Sequence, residues 1–214
     1  MSSGSGHPLA YPTIVTIGVL AVCAAWAPFG DSDQVAGLVT VAVLVLGYSV
    51  FRVATALGYL PNGLTGATGA AKRVRQQHRL DSRSWLELTV GGRNLWLPVY
   101  FEPALLPMTE TTATLDGRIP RVGELRVYPS GRVRSSEPPG RLIDNPSRPD
   151  PNAPGTLRIS RRLLFDAQSA VAAPFAGLLW VYIAGGGLAG FLGATCVAAA
   201  SALWFAAIRG SDPS

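Results

Sequence analysis

The sequence predicts an α+β membrane protein in which four transmembrane helices, two N-terminal and two C-terminal, flank a small, barrel-like, all-β cytoplasmic domain. Three observations carry this. The chain of 214 residues is 48% hydrophobic and 14% charged, where an ordinary soluble domain is about 25% charged. Its apolar residues gather in four runs without charge. Of its 18 Lys and Arg, 16 lie between residues 72 and 162, so that only Arg52 and Arg209 stand outside the middle.

After a Gly/Ser-rich tail at 1–11, residues 12–60 read as a transmembrane hairpin. Its runs at 12–28 and 35–51 each reach 17 residues, the short end of what crosses a hydrocarbon core of about 30 Å. The second run is expected to continue to Leu60, with Arg52 near its inner end snorkelling toward the headgroups. Residues 167–208 form the second hairpin, with runs at 167–184 and 188–208 separated only by Gly185, Gly186 and Gly187. Pro174 either kinks the third helix or marks its start. Gly186 and Gly190 make a GxxxG pair, and Ala189 and Gly193 a second small-xxx-small pair, so these four residues are expected to let helices approach closely. "AWA" at 25–27 lacks a basic segment before it and is followed by Pro28, and "LAVC" at 20–23 carries Val22 where a lipobox needs a small residue. Neither is read as a processing site.

Orientation follows from the distribution of Lys and Arg near the ends of the spans. The connection between the first two runs, "GDSD", has acids and no base, whereas the middle opens on Lys72, Arg73, Arg75 and Arg79 and closes on Arg158, Arg161 and Arg162. These seven residues are expected to form two basic collars against the anionic headgroups of the bilayer, each worth about 1 kcal/mol near such a surface. The chain is thus placed in the inner (plasma) membrane, multi-pass, N-in and C-in, with residues 61–166 cytoplasmic. Within that middle, 61–83 is a basic juxtamembrane connector and 156–166 a basic segment leading back to the helices; 209–214 is a C-terminal tail.

Residues 84–143 change to period-two alternation, the pattern of strands half-buried in a sheet. "WLELTV" places Leu86, Leu88 and Val90 on one face, "GGRN" turns, and "LWLPVYF" returns with Leu95, Leu97, Val99 and Phe101. Pro98 within the return strand predicts an edge or a bulge. Shorter strands read at "TATL", "GELRVY", "GRVR" and "RLI", with Asp116-Gly117 and Pro129-Ser130-Gly131 as turns; such a set suits a small barrel or folded-over sheet. The Pro-rich stretch at 144–155 reads as a linker, and "TLRIS" at 156–160 as a closing strand.

The stretches "LWLPVYFEP" and "YPSGRVR", across roughly residues 85–141, resemble uncharacterised actinobacterial multi-pass membrane proteins. The single lysine among abundant Arg, Ala and Gly fits such GC-rich sources. The helices around a small β domain are more remotely similar to NfeD-like proteins, which join membrane helices to a small β-barrel. That resemblance implies an architecture and transfers no site residue.

No catalytic, cofactor-binding or metal-ligating constellation is read from the chain. Cys23 and Cys196 both sit in apolar runs, the usual setting of a thiol used as a small hydrophobe. His7 and His78 have no ligand or base at useful spacing, and Glu87, Glu102, Glu110, Asp116 and Glu124 are scattered singly. Trp85, Trp96, Tyr100 and Tyr128 interleave with Arg93, Arg126 and Arg132, a composition that an oligonucleotide-binding barrel would use. Ten acids offset the 16 bases of the middle, and nucleic acid is the lesser partner on that ground. The expectation is a non-enzymatic interaction, assembly or regulatory module with a protein partner in the membrane. The alternatives are a ligand- or nucleic-acid-binding domain, or a component of a transporter or membrane enzyme.

Overall fold

The computed structural model describes residues 7–64, 68–79, 81–115, 118–145 and 159–214. The chain forms two compact units. One comprises Tyr11–Phe51 and Leu163–Ile208; the other comprises Arg52–Arg162 together with Arg209–Ser214 and the residues before Tyr11.

The first unit is helical and draws on α1 (Ala10–Trp26), α2 (Ser32–Ala56), α3 (Ile159–Ala167), α4 (Ala173–Ala184) and α5 (Gly187–Ile208). Among the described residues, four helical stretches, Ala10–Phe29, Ser32–Ala56, Ile159–Ala184 and Gly187–Ile208, are long and apolar enough to cross a membrane. Their outer faces carry exposed Ile17, Val43, Leu44, Leu179, Ile183 and Leu188, an apolar surface that water would penalise and hydrocarbon would not. Inside, Val15, Val19 and Cys23 of α1 pack with Val45 of α2 and Val197, Trp204 and Ala207 of α5. A short polar chain fastens these three helices: Trp204 Nε1 donates to Ser49 Oγ at 2.9 Å, and Ser49 and Thr16 hydroxyls lie 3.3 Å apart. Tyr11 donates to the buried Asp166 carboxylate at 2.6 Å.

Several boundaries differ from the sequence expectation. Helix α2 ends at Ala56 rather than Leu60, because Gly58 turns left-handed at φ +76° and the Tyr59 N–H bonds back to the Ala54 carbonyl. Ile159 and Ser160, expected in a closing strand, begin α3 instead. Arg162 and Asp166, four residues apart, are buried on one face of this helix, while Ile159, Leu163, Leu164 and Phe165 are exposed. Pro174 marks a start rather than a kink: it occupies the first turn of α4, after a 3-10 turn at Gln168–Ala172. Gly185, Gly186 and Gly187 all take positive φ, which makes the tight α4–α5 hairpin possible.

The sharpest packing contact between those two helices is at Gly177, where a Cβ would collide with Thr195 Oγ1 and come within 3.0 Å of the Phe191 carbonyl. Gly177→Val is therefore expected to destabilise the helical unit by about 1–3 kcal/mol. Gly47→Ala, in open space on α2, should be neutral or stabilising by up to about 1 kcal/mol. Thermal unfolding of the full chain in mild detergent distinguishes the two.

The second unit is built on one seven-stranded antiparallel sheet. Its strands are β1 (Thr68–His78), β2 (Asp81–Val90), β3 (Arg93–Val99), β4 (Thr111–Thr114), β5 (Arg121–Val122), β6 (Leu125–Arg126) and β7 (Arg141–Asp144). The order is β3-β2-β1-β4-β5-β6, with β7 pairing β1 beside β4, and the sheet curls into a half-barrel. The predicted β2–β3 hairpin is present. Gly91 and Gly92 both have positive φ, as a two-residue primed turn requires, and the register sets Leu86 opposite Leu97 and Leu88 opposite Leu95. Pro98 lies at an edge. Trp96 and Tyr100 direct their N–H groups away from β2, to Arg134 and Tyr128, so the N–H that Pro98 lacks belongs to that outer side and the β2–β3 ladder loses nothing. "GRVR" is no strand; its Arg134 forms an isolated antiparallel bridge with Trp96 of β3.

The segment 61–83, expected as a connector, instead supplies β1 and the start of β2. Ala71 and Arg73 are buried on one face of β1, and Val74 and Gln76 on the other. Of the expected linker at 144–155, Asp144 instead ends β7 and Asn145 is held by hydrogen bonds to Leu105 and Met108; 146–155, the Asp116-Gly117 turn and residues 156–158 lie outside the described residues.

Candidate functional site

The most highly organised polar site in the β unit surrounds Arg73. Strand β1 carries this side chain inward, 4% exposed, to meet Asp212, which is 3% exposed. Arg73 Nη2 lies 2.6 Å from Asp212 Oδ2 and donates to Ser214 Oγ at 2.9 Å. Its Nε–H reaches Ser84 Oγ at 3.4 Å, and Nη1 donates to Asn145 Oδ1. Ser84 in turn donates to the same Asp212 oxygen at 2.6 Å. Asn145 anchors the far side by donating to the Leu105 and Met108 carbonyls, each at 2.8 Å.

The backbone after α5 is drawn into this cluster. Ser211 pairs with Arg83 as an antiparallel bridge, the Asp212 N–H donates to the Ser82 carbonyl at 2.9 Å, and Arg162 Nη2 donates to the Ser211 carbonyl at 2.8 Å. Phe101 takes both guanidinium groups over its ring, Arg73 at 5.8 Å and Arg162 at 5.7 Å from the centroid. Burial alone would raise the Asp212 carboxyl. The adjacent Arg73 charge and the hydrogen bonds from Ser84 and Ser214 outweigh it and hold the group below its ordinary value.

The expected collars therefore divide. Arg73 and Arg162 are buried in this network. Lys72 bonds Asp144 at 2.7 Å on the surface, and that hydrogen bond raises its pKa. Arg75 is half-buried and Arg161 exposed. Arg79 sits at the β1–β2 turn with φ +55°, and Arg158 lies outside the described residues. Arg52 approaches Gly131, its Nη1 3.6 Å from where a Cβ there would stand.

Among the four small residues, Gly193 accepts the Trp26 indole, with a Cβ position 3.1 Å from the ring. Gly190 abuts the Gly185 carbonyl, Gly186 belongs to the turn beside Gln34, and Ala189 lines a cleft. Sequence reasoning missed Gly177 and also Gly37, which receives Trp180 of α4; a lone glycine in an apolar run announces no partner.

Of the remaining candidates, Glu102 is buried, and burial raises its carboxyl against the opposing pull of the Ala104 N–H and His7. His7 Nε2 lies 3.2 Å from Tyr128 Oη. Trp85 and Trp96 form a small core with Val74, and Tyr100 is fully buried.

The chain is an α+β protein that combines four helices of membrane-spanning length with a curled antiparallel half-barrel. No protein-family model, no curated protein and no solved structure matches it.

Proposed function

We propose that the chain is a non-enzymatic integral membrane protein, N-in and C-in, whose cytoplasmic β unit serves as the interaction and assembly module of a larger membrane complex. The observation that carries this reading is the Arg73–Asp212 network. Four residues after α5 ends, the chain is locked into the sheet by a buried ion pair, so a partner that displaces or strains the sheet acts directly on the exit of the last helix. Its polar groups are spent on one another and on the backbone, as in a structural fastener. The flanks before Tyr11 and after Ile208 share a unit with the sheet, which fits an even number of crossings. The acid-only "GDSD" turn and the bases of the middle favour the cytoplasm for that side. Burial of Trp85, Trp96 and Tyr100 weighs against the nucleic-acid alternative, since it removes three of the four aromatic faces that reading would use.

Purification in mild detergent is expected to bring down a stable companion protein, and a chain that migrates alone would sink the assembly reading. A reporter fused after residue 150 should give a cytoplasmic signal; a periplasmic one overturns the orientation.

A further inference from the structure

A half-open cleft of about 480 Å³ lies within the helical unit, between the α1–α2 pair and the α4–α5 pair. Its origin is physical. Trp180 rests on Gly37 at 2.8 Å from a Cβ position and Trp26 rests on Gly193, so two indoles hold the pairs apart. Between them α5 presents Gly190, Ala194 and Ala198, residues too small to fill the space. Close-packed interiors hold few voids of this size, and one left empty costs stability; the mainly apolar walls give water few partners.

We propose that this cleft binds one chain of a membrane lipid whose headgroup carries an amine; the proposal rests on the reading of these helices as membrane spans. The shape selects a chain. The lining of α5 runs from Gly190 to Ser201 and that of α2 from Gln34 to Val41, with the Gly186 turn beyond; at 1.5 Å per residue the long side extends about 20 Å. The cleft is long, open along one side and mainly apolar, a form that an extended hydrocarbon chain lying along the helices can fill.

The two ends of the cleft differ. At the α1–α2 turn the lining is Phe29, Asp31 and Gln34. Asp31 Oδ1 accepts the Gln34 N–H at 2.9 Å, and the residue lines the cleft. Phe29 and Trp26 meet edge to face at 5.9 Å, an aromatic surface suited to an ammonium. Asp33 adds a second acid and the turn has no base, so an anionic headgroup would be repelled and an amine attracted. At the other end Ser201 Oγ is buried without a hydrogen-bond partner among the described residues, consistent with a wall completed by something outside the chain.

The test uses the full chain. After membrane fractionation and extraction in mild detergent, native mass spectrometry and lipid extraction are expected to find about one amine-bearing phospholipid per chain. In lipid discs, phosphatidylethanolamine should raise the unfolding temperature more than phosphatidylglycerol. Asp31→Asn keeps the helix cap while removing the charge, and should abolish that preference with the chain still bound. Ala194→Phe fills the cleft and should abolish retention. A wild-type chain that fractionates with membranes yet carries no lipid, or responds equally to both headgroups, overturns the proposal. So does a folded Ala194→Phe variant that retains lipid, or an apolar peptide found in place of lipid. Failure to fractionate with membranes instead overturns the membrane reading itself. Should Ala194→Phe misfold, Asp31→Asn decides.

Discussion

Arg73→Ala is expected to lower the stability of the β unit by about 3–5 kcal/mol, because it leaves the Asp212 carboxylate buried without its counter-charge. Asp212→Ala should cost a similar amount by stranding the guanidinium. The double variant should cost less than the sum, since neither charge then remains alone. Denaturant unfolding of the full chain in detergent measures all three. The pH dependence separates the ion pair from simple packing. In the wild type the Asp212 carboxyl is held below its unfolded value of 3.8. Its contribution is thus fully present above that value and is lost as the pH falls through the lower folded one. In Arg73→Ala, burial dominates and raises the carboxyl, so that variant loses stability as the pH rises instead. The two profiles should converge toward low pH; parallel profiles would mean that Asp212 contributes packing alone.

This pair also marks how far the sequence can be read. Lipid-length apolar runs, the Gly185–Gly187 hairpin and the alternation of "WLELTV" are local signals, and each has the expected structure because its cause lies within a few residues. Strand β1 is hidden for a local reason as well. Lys72, Arg73 and Arg75 look like a solvated collar, and only a partner for Arg73 makes burial tolerable. That partner is 139 positions away in a segment read as a tail. Arg162 is claimed by the same segment through Ser211. Two of the seven collar residues thus have buried partners that the sequence does not show, since a charge pattern records where bases are and not which acid folds back onto them. The glycines behave alike. Gly193 is marked by its small-xxx-small spacing, but Gly37 and Gly177 become visible only when Trp180 and Thr195 arrive beside them.

Leu97→Ala is the second large effect, an expected loss of about 2–5 kcal/mol. Leu97 is fully buried on β3 opposite Leu86 and belongs to a core that includes Leu105, Val122 and Val127. Strand β3 stands at one end of the sheet order and β5 and β6 near the other, so that shared core is what the curl of the sheet encloses. Strands β5 and β6 are two residues each, with two paired positions between them, too little ladder to persist alone. Their order depends on the apolar contact of Val122 with the enclosed core. The cavity left by Leu97→Ala should therefore raise amide exchange at Val122 and Leu125 as well as along β2 and β3. Leu97→Met, which nearly conserves volume, should cost less than about 1.5 kcal/mol and leave both regions protected. Exchange that rises in β2 and β3 while β5 and β6 stay protected would require two independent cores, and the half-barrel would then be an open sheet whose ends do not support each other.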